Sequence, residues 1–263
     1  MRRALVTGAS GGIGEALCRA LADRGYDVLA HARTREKASA AGPFTPIHGD
    51  VTNPHDVANI ADQVARIGCL DLVVHNAGVL TRDTSIGPHG FGPQGEVNVI
   101  APWTLTQALV KANALNDGAL VLVNASSAAN LTRSTDYEAL AKPDGSALFG
   151  QYALSKAAAN ALAVHMAKTF PGLRIVSVEP GFVKTKMTAG NSSMPWFMRT
   201  LAPMLGSKPD KASSRVLDHA LSNDLPSGTV VQGSKVVDGR WSAPEAQASI
   251  RRLLERAGVA GTA

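Results

Sequence analysis

Ala4-Leu5-Val6-Thr7-Gly8-Ala9-Ser10-Gly11-Gly12-Ile13-Gly14 is the stretch that decides the fold of this chain. A short apolar run stops at Thr7-Gly8, glycines crowd the turn, and an amphipathic helix pattern follows to about Arg24. The order is strand, glycine-rich turn, helix. Glycines let the backbone turn sharply and approach a ligand closely, while the new helix offers free N–H groups and the positive end of its dipole. Such a turn fits a pyrophosphate, although the spacing is Gly-x-x-x-Gly-x-Gly rather than the commoner Gly-x-Gly-x-x-Gly.

Working outward, Asp27 to Ala32 reads as a second strand ending at Arg33. In a dinucleotide site the end of this strand meets the adenosine ribose, where a carboxylate suits the free 2′-OH and an arginine suits a 2′-phosphate. No acid is present there, and Arg33, Arg35 and Lys37 follow. This favours NADP(H) over NAD(H). Arg35 and Lys37 also fit a solvated basic loop.

Phe44 to His48 is a third strand closed by Gly49-Asp50-Val51, and Asn53-Pro54 starts a capped helix. Leu70 to His75 is nearly all apolar, as a parallel strand covered on both faces requires, and ends in Asn76-Ala77-Gly78. Alternating strands and helices predict an α/β, doubly wound parallel sheet of about seven strands, with helices on both faces, as a single Rossmann-type domain over residues 1–263. Thr81 to Gly95 reads as an irregular loop and Glu96 to Asn113 as a helix with Asn98 near its start. A strand from Ala119 to Asn124 leads to Ser126-Ser127.

Tyr152-Ala153-Leu154-Ser155-Lys156 puts a phenol and an ammonium one helical turn apart on one face. An ammonium beside a tyrosine favours the phenolate, so the pair predicts a lowered phenol pKa and a usable proton donor and acceptor. Taken alone, the pair also fits an ordinary helix surface.

The composition of 263 residues, 45% of them hydrophobic, supports a substantial core. The net charge of +5 comes from scattered Lys and Arg without interleaved aromatics, which argues against a nucleic-acid surface. No apolar run reaches the length of a membrane span, no cleavable leader is legible, and two cysteines, Cys18 and Cys69, suit a reducing compartment. These features predict a cytoplasmic protein. No metal-ligand set is evident.

The ordered set Thr7-Gly8-x-x-x-Gly12-x-Gly14, Asp50, Asn76-Ala77-Gly78, Asn98, Ser126-Ser127, Tyr152-x-x-x-Lys156 and Pro180-Gly181-x-Val183-x-Thr185 resembles the short-chain dehydrogenase/reductase family over about residues 3 to 235. The resemblance implies cofactor contacts from Gly8, Ser10, Gly12, Ile13, Gly14, Arg33, Asp50, Val51, Asn76, Ala77, Gly78, Tyr152, Lys156, Pro180, Gly181, Val183 and Thr185. It implies Ser127 as the catalytic serine, with Ser126 the lesser candidate. Tyr152 would be the acid/base, Lys156 would hold the nicotinamide ribose and lower the tyrosine pKa, and Asn98 would support a proton-relay water. The implied activity is NADP(H)-dependent interconversion of a carbonyl and an alcohol. Alternatives are a non-catalytic NADP(H)-binding regulator or an epimerase/dehydratase of the same family.

Two stretches depart from the family pattern. Leu131 to Leu148 lengthens the connection before Tyr152, in local resemblance to retinol-dehydrogenase-like and carbonyl reductase members, and the Gly/Pro-rich run Ile86 to Gly95 precedes Asn98. Later, Leu173 to Val178 is a strand, and residues 186–207, with Met187, Met194, Trp196 and Phe197, take the place of the family's substrate lid, suiting a small apolar substrate. Lys208-Pro209-Asp210 opens a helix, Gly228 to Val231 is a last strand, and a C-terminal extension over about 236–263 holds a helix begun by a Ser242-to-Glu245 capping box. The alanines of 157–163 form a flat face, and the family pairs such helices between subunits, so a homodimer or homotetramer is expected.

Overall fold

The structure, a computed structural model, describes residues 1–180, 207–221, 225–233, 235–237 and 239–261. The described strands are β1 (Arg2–Val6), β2 (Tyr26–Ala32), β3 (Thr45–His48), β4 (Leu70–His75), β5 (Leu115–Asn124), β6 (Arg174–Val178), β7 (Thr229–Gln232) and β8 (Lys235–Val237). They form one sheet in the order β3-β2-β1-β4-β5-β6-β7-β8. All neighbours are parallel except β7 and β8. The strand order reverses between β1 and β4, and such a switch point opens a crevice beyond the strands' carboxyl ends.

The described helices are α1 (Ile13–Ala22), α2 (Arg35–Ser39), α3 (Pro54–Ile67), α4 (Pro93–Gly95), α5 (Ala101–Lys111), α6 (Leu148–Thr169), α7 (Pro209–Leu221) and α8 (Pro244–Arg256). Two buried layers sandwich the sheet. Leu17 and Leu21 of α1 join Val216 and Leu217 of α7 on one face. Val57 and Ile60 of α3, Leu105 and Leu109 of α5, the alanines of α6, and Ile250 and Leu253 of α8 cover the other. Burying a side chain of leucine size stabilises by about 1.5–3 kcal/mol. This double cover explains why β4 and the centre of β5 read as continuous apolar runs.

Several expectations need correction. An eighth strand follows the one read as last, because Gly233 at φ 63° turns the chain back into an antiparallel edge. The basic segment after Arg33 is a short helix, capped by the Thr34 hydroxyl, which accepts from the Lys37 amide at 3.4 Å. Asn98 sits in a π-helical segment, Glu96–Ile100, preceded by α4, so the helix begins earlier than the sequence suggested. No capping box opens α8: Ala243 is its cap, and the Ser242 hydroxyl donates to the Gly239 carbonyl.

The alanine face of α6 is not open to a second subunit. Ala157, Ala158, Ala159, Ala161 and Ala163 are at most 1% exposed within one chain. On the side of the helix layer, α8 seats on α6 and Gln247 Nε2 donates to the Ala161 carbonyl at 3.0 Å. Trp103 of α5 likewise donates to the Val259 carbonyl at 2.8 Å. The C-terminal extension takes the place expected of a partner subunit.

The two departures from the family pattern pack against each other. The Gly92 amide donates to the Leu140 carbonyl at 2.9 Å, and just before the Gly/Pro-rich run Arg82 Nη1 donates to the Gly145 carbonyl at 2.6 Å. A side-chain carbon on Gly92 would meet Pro143 Cβ at 2.6 Å, so glycine is needed for this approach. Tyr137 is buried beneath α8, where burial pushes its phenol up to about 12.

Candidate active site

The first part of the site is built at the ends of β1 and β4. Thr7 Oγ1 accepts the amides of Asn76 and Ala77, both at 3.0 Å. Asn76 Nδ2 donates to the Thr7 carbonyl at 2.9 Å and the Gly8 carbonyl at 3.2 Å, and Asn76 Oδ1 accepts from Asn124 Nδ2 at 2.9 Å. Asn76 therefore ties together the ends of β1, β4 and β5. Its role is to hold the cradle's shape.

The glycines of the turn differ in purpose. Gly8 has φ +65°, and a side-chain carbon there would lie 2.9 Å from Ala77 Cα. Gly12, at φ 59°, caps α1 with no side chain to accept the helix's free N–H groups. These donors remain available for an anion. Gly14 serves packing: a carbon on it would sit 2.1 Å from the Gly8 carbonyl oxygen. Gly11 is exposed, with nothing within 4 Å of such a carbon.

A cavity of about 750 Å³ runs along this crevice. It brings together Gly8, Ser10, Gly12, Ile13, Gly14, Arg33, Asp50, Val51, Asn76, Ala77 and Gly78 of the sequence-predicted cofactor contacts. Lys37 lines it too. Asp50 Oδ1 accepts from the Thr52 amide at 2.9 Å and hydroxyl at 2.8 Å, which fixes the carboxylate at the cavity wall. The uncapped helix start, the glycine approach and the two cations fit a dinucleotide with an added phosphate.

Sequence reasoning missed His31, at the end of β2 on the same cavity. Its Nε2 lies 2.9 Å from the Gly49 carbonyl, which can only accept, so this nitrogen carries the proton. Burial lowers its pKa. It also missed the far wall, which includes Thr81, Asp83, Gly87, Pro88 and Glu96. Glu96 organises that wall: its carboxylate accepts from His89 Nδ1 at 2.7 Å and from the amides of His89 at 3.0 Å and Phe91 at 3.2 Å. A buried carboxylate pinning a Gly/Pro-rich loop leaves no periodicity to read.

The second part gathers around α6. Lys156, buried, donates from Nζ to the Asn124 carbonyl at the end of β5 at 2.9 Å. Burial depresses this ammonium from 10.5 to about 8. Asn98 is 2% exposed. Its Oδ1 accepts from the Val79 amide at 2.9 Å, and its Nδ2 donates to the Val79 carbonyl and to Ser155 Oγ, both at 3.0 Å. The two parts meet at Gly78, where a side-chain carbon would lie 3.2 Å from Asn98 Oδ1 and 3.6 Å from Lys156 Nζ.

The structure bears on two expectations about Tyr152, the serine pair and the phenol's pKa. Of the serine pair, Ser126 is the one whose hydroxyl acts on the phenol, pulling its pKa down against burial. Ser126 is also the N-cap of the 3-10 turn Ser127–Leu131, so its oxygen faces inward, accepting the Ala128 amide at 3.2 Å. Ser127 is exposed, and its amide donates to Glu179 Oε1 at 2.7 Å. The second correction concerns the phenol's pKa, which is raised rather than lowered. Burial is the main cause and the Glu179 charge adds to it, against the Ser126 hydrogen bond. Lys156 Nζ lies 5.8 Å from the ring centroid and is itself held by Asn124.

Pro180 is buried at the end of β6, while Gly181, Val183, Thr185 and the 186–207 lid, Ser207 apart, lie outside the described residues. Among the described residues no helix is long and apolar enough to cross a membrane, and no group of three or more His, Cys, Asp and Glu could hold a metal ion.

The short chain dehydrogenase family model matches residues 2–196. The chain is similar to a short-chain dehydrogenase, chyC, of Penicillium rubens, 31% identical over 193 residues, which are 71% of this chain and 73% of that one. It is 27% identical over 196 residues, 70% of this chain and 75% of the other, to the 3-oxoacyl-[acyl-carrier-protein] reductase FabG of Escherichia coli. Among solved structures, a short-chain dehydrogenase of Burkholderia cenocepacia in complex with NADP superposes with a TM-score of 0.68 at 26% identity, over 89% of this chain and 97% of that one. On the family match and these relatives, with the switch-point crevice and the tyrosine-lysine helix already in view, the chain belongs to the short-chain dehydrogenase family.

Proposed function

We propose that the chain is an NADP(H)-dependent oxidoreductase that interconverts a ketone or aldehyde and an alcohol, with Tyr152 as acid/base. The observation that carries this reading is Tyr152 one helical turn from the buried ammonium of Lys156, whose Nζ lies 5.8 Å from the tyrosine ring centroid and is held by the Asn124 carbonyl where α6 meets the crevice at Gly78. A bound nicotinamide dinucleotide supplies or accepts the hydride. In the reductive direction Tyr152 gives its proton to the substrate oxygen, and Ser126 donates a hydrogen bond to that oxygen. In the oxidative direction Tyr152 takes the proton back. Gly8, Gly12 and the start of α1 would hold the pyrophosphate, Asp50 and Val51 the adenine, and Lys156 the nicotinamide ribose. Pro180, Gly181, Val183 and Thr185 would meet the carboxamide, and Asn98 would steady the proton relay.

Arg33 and Lys37 on the cavity wall support NADP(H) as the preferred cofactor. A charge-assisted hydrogen bond contributes about 1.5–3 kcal/mol, so Arg33→Ala is expected to weaken NADPH binding about 10- to 100-fold. NADH binding should change by less than about threefold. Tryptophan fluorescence titrations measure both. A wild-type chain that binds NADH as tightly as NADPH would remove the preference.

The two serines give a further test. Ser126→Ala removes a donor to the developing oxyanion, a change typically costing about 10²–10³ in kcat. Ser127→Ala is expected to keep kcat within about threefold, as an exposed surface change does. The opposite ranking would return the role to Ser127. The substrate is proposed to be small and apolar on the strength of the Met- and aromatic-rich 186–207 segment. A cytoplasmic location is proposed from the two free cysteines. A homodimer or homotetramer is proposed from family habit, through a surface other than the alanine face of α6.

A further inference from the structure

Glu96 takes no part in the proposed reaction, yet it is built into the wall of the crevice. It opens the π-helical segment, and its ion pair with His89 is buried, the two side chains being 2% and 8% exposed. Taking a carboxylate out of water is costly unless it is paired and hydrogen-bonded. Here both conditions are met: besides the 2.7 Å contact with His89 Nδ1, the carboxylate accepts the amides of His89 and Phe91 at 3.0 and 3.2 Å. Residues 87–91 close around it. The Gly87 amide donates to the Phe91 carbonyl at 2.8 Å, and a side-chain carbon on Gly87 would lie 2.6 Å from Glu96 Cγ. The turn is fastened on its outer side by the Gly92 bond to Leu140 and by Arg256, whose guanidinium lies 5.8 Å from the Phe91 ring centroid.

Gly87, Pro88 and Glu96 line the same cavity as Arg33, Asp50 and Val51. Val97, the next residue along, shares with Val51 and Ala77 a further hollow of about 10 Å³. With Asp50 and Val51 read as the adenine contacts, this wall belongs to the adenine end of the crevice. A buried ion pair is a weak stabiliser, and apolar packing would hold a turn at least as well. We propose that Glu96 is a positioning residue for the cofactor: its carboxylate, locked to His89 and to the 89–91 backbone, holds the 87–92 turn as a preformed wall of the adenine slot. The inference rests on the reading of the crevice as a dinucleotide site. A wall ordered in advance spares the cofactor the cost of ordering it on binding, so affinity rather than the chemical step carries the effect.

Calorimetric titration with 2′,5′-ADP, the adenosine half of NADP, tests this without any turnover. Glu96→Ala is expected to weaken 2′,5′-ADP and NADPH alike by about tenfold, the cost of ordering one or two side chains on binding. Its kcat at saturating NADPH should stay within about threefold of the wild type, the pattern of a lost binding interaction. Glu96→Gln keeps an oxygen for the two amides and is expected to restore the affinity to within about threefold. Equal loss in the two variants, unchanged affinity in Glu96→Ala, or a fall in kcat with affinity intact overturns the proposal. The wild-type chain gives a test that needs no variant: in hydrogen exchange the His89 and Phe91 amides should be protected before any cofactor is added, and fast exchange in the free chain overturns the proposal. A wild-type chain that binds neither NADPH nor 2′,5′-ADP overturns the dinucleotide reading and this proposal with it, whereas the variant results strike this proposal alone.

Discussion

Tyr152→Phe is expected to lower turnover by about 10²–10⁴-fold while leaving NADPH affinity nearly unchanged. The substitution removes one oxygen and keeps the ring that packs against Leu80 and Leu148. The cavity that would bind the adenosine half is built from other residues, so binding and chemistry should separate cleanly. Fluorescence titration with NADPH and steady-state rates on the same preparation measure the two effects. Loss of both together would point to a folding defect. Near-normal turnover would remove Tyr152 from the mechanism.

Gly14→Ala is expected to be the most damaging small change to the fold. The new carbon would fall 2.1 Å from the Gly8 carbonyl oxygen and 2.7 Å from Asn76 Nδ2. One neighbour is backbone in a strained glycine turn, and the other is the amide that ties β1, β4 and β5 together. Neither can move without breaking the cradle. Overpacking of this kind costs about 3 kcal/mol, which in a chain of this size lowers Tm by roughly 6–12 °C. Gly11→Ala, with open space around it, should shift Tm by less than about 1 °C. Thermal unfolding of the two variants checks the contrast, and equal melting temperatures would contradict the packing role given to Gly14.

Lys156 illustrates how a functional residue strains its own fold. Lowering its pKa from 10.5 to about 8 costs about 3 kcal/mol of stability at neutral pH. The unfolded chain binds the proton more tightly, so the cost is present in full below pH 8 and fades as pH rises toward 10.5. The group persists where its contribution is to the site. Among the described residues its acceptor is the Asn124 carbonyl, which aims the ammonium at the meeting point of crevice and catalytic helix.

What could be read from the sequence follows from what leaves a local pattern. The strand-turn-helix at residues 4–14, the capped start at Asn53-Pro54 and the apolar β4 each announce themselves through periodicity or turn chemistry. The crevice contacts followed, because the topology carries the carboxyl ends of the parallel strands to one edge. Features that depend on contacts distant in sequence were not legible. Motif order favoured Ser127, yet the 3-10 turn that begins there leaves it exposed, with its amide donating to Glu179 at the end of a different strand. Burial of the phenol reverses the expected direction of the Tyr152 pKa, which one ammonium in the same helix had seemed to decide. The alanine face of α6 suggested a subunit interface because small residues look alike whether a partner or the chain's own α8 lies on them.

In the proposed function the crevice and the Tyr152 cluster together move a hydride between a nicotinamide and a carbonyl carbon. Following NADPH consumption by absorbance across a panel of small apolar ketones and aldehydes, with the Tyr152→Phe chain as control, tests it most directly. At least one member of the panel should be reduced by the wild-type chain and not by the control. NADPH that binds tightly but is consumed with no member of the panel, or is consumed equally by both chains, would contradict it.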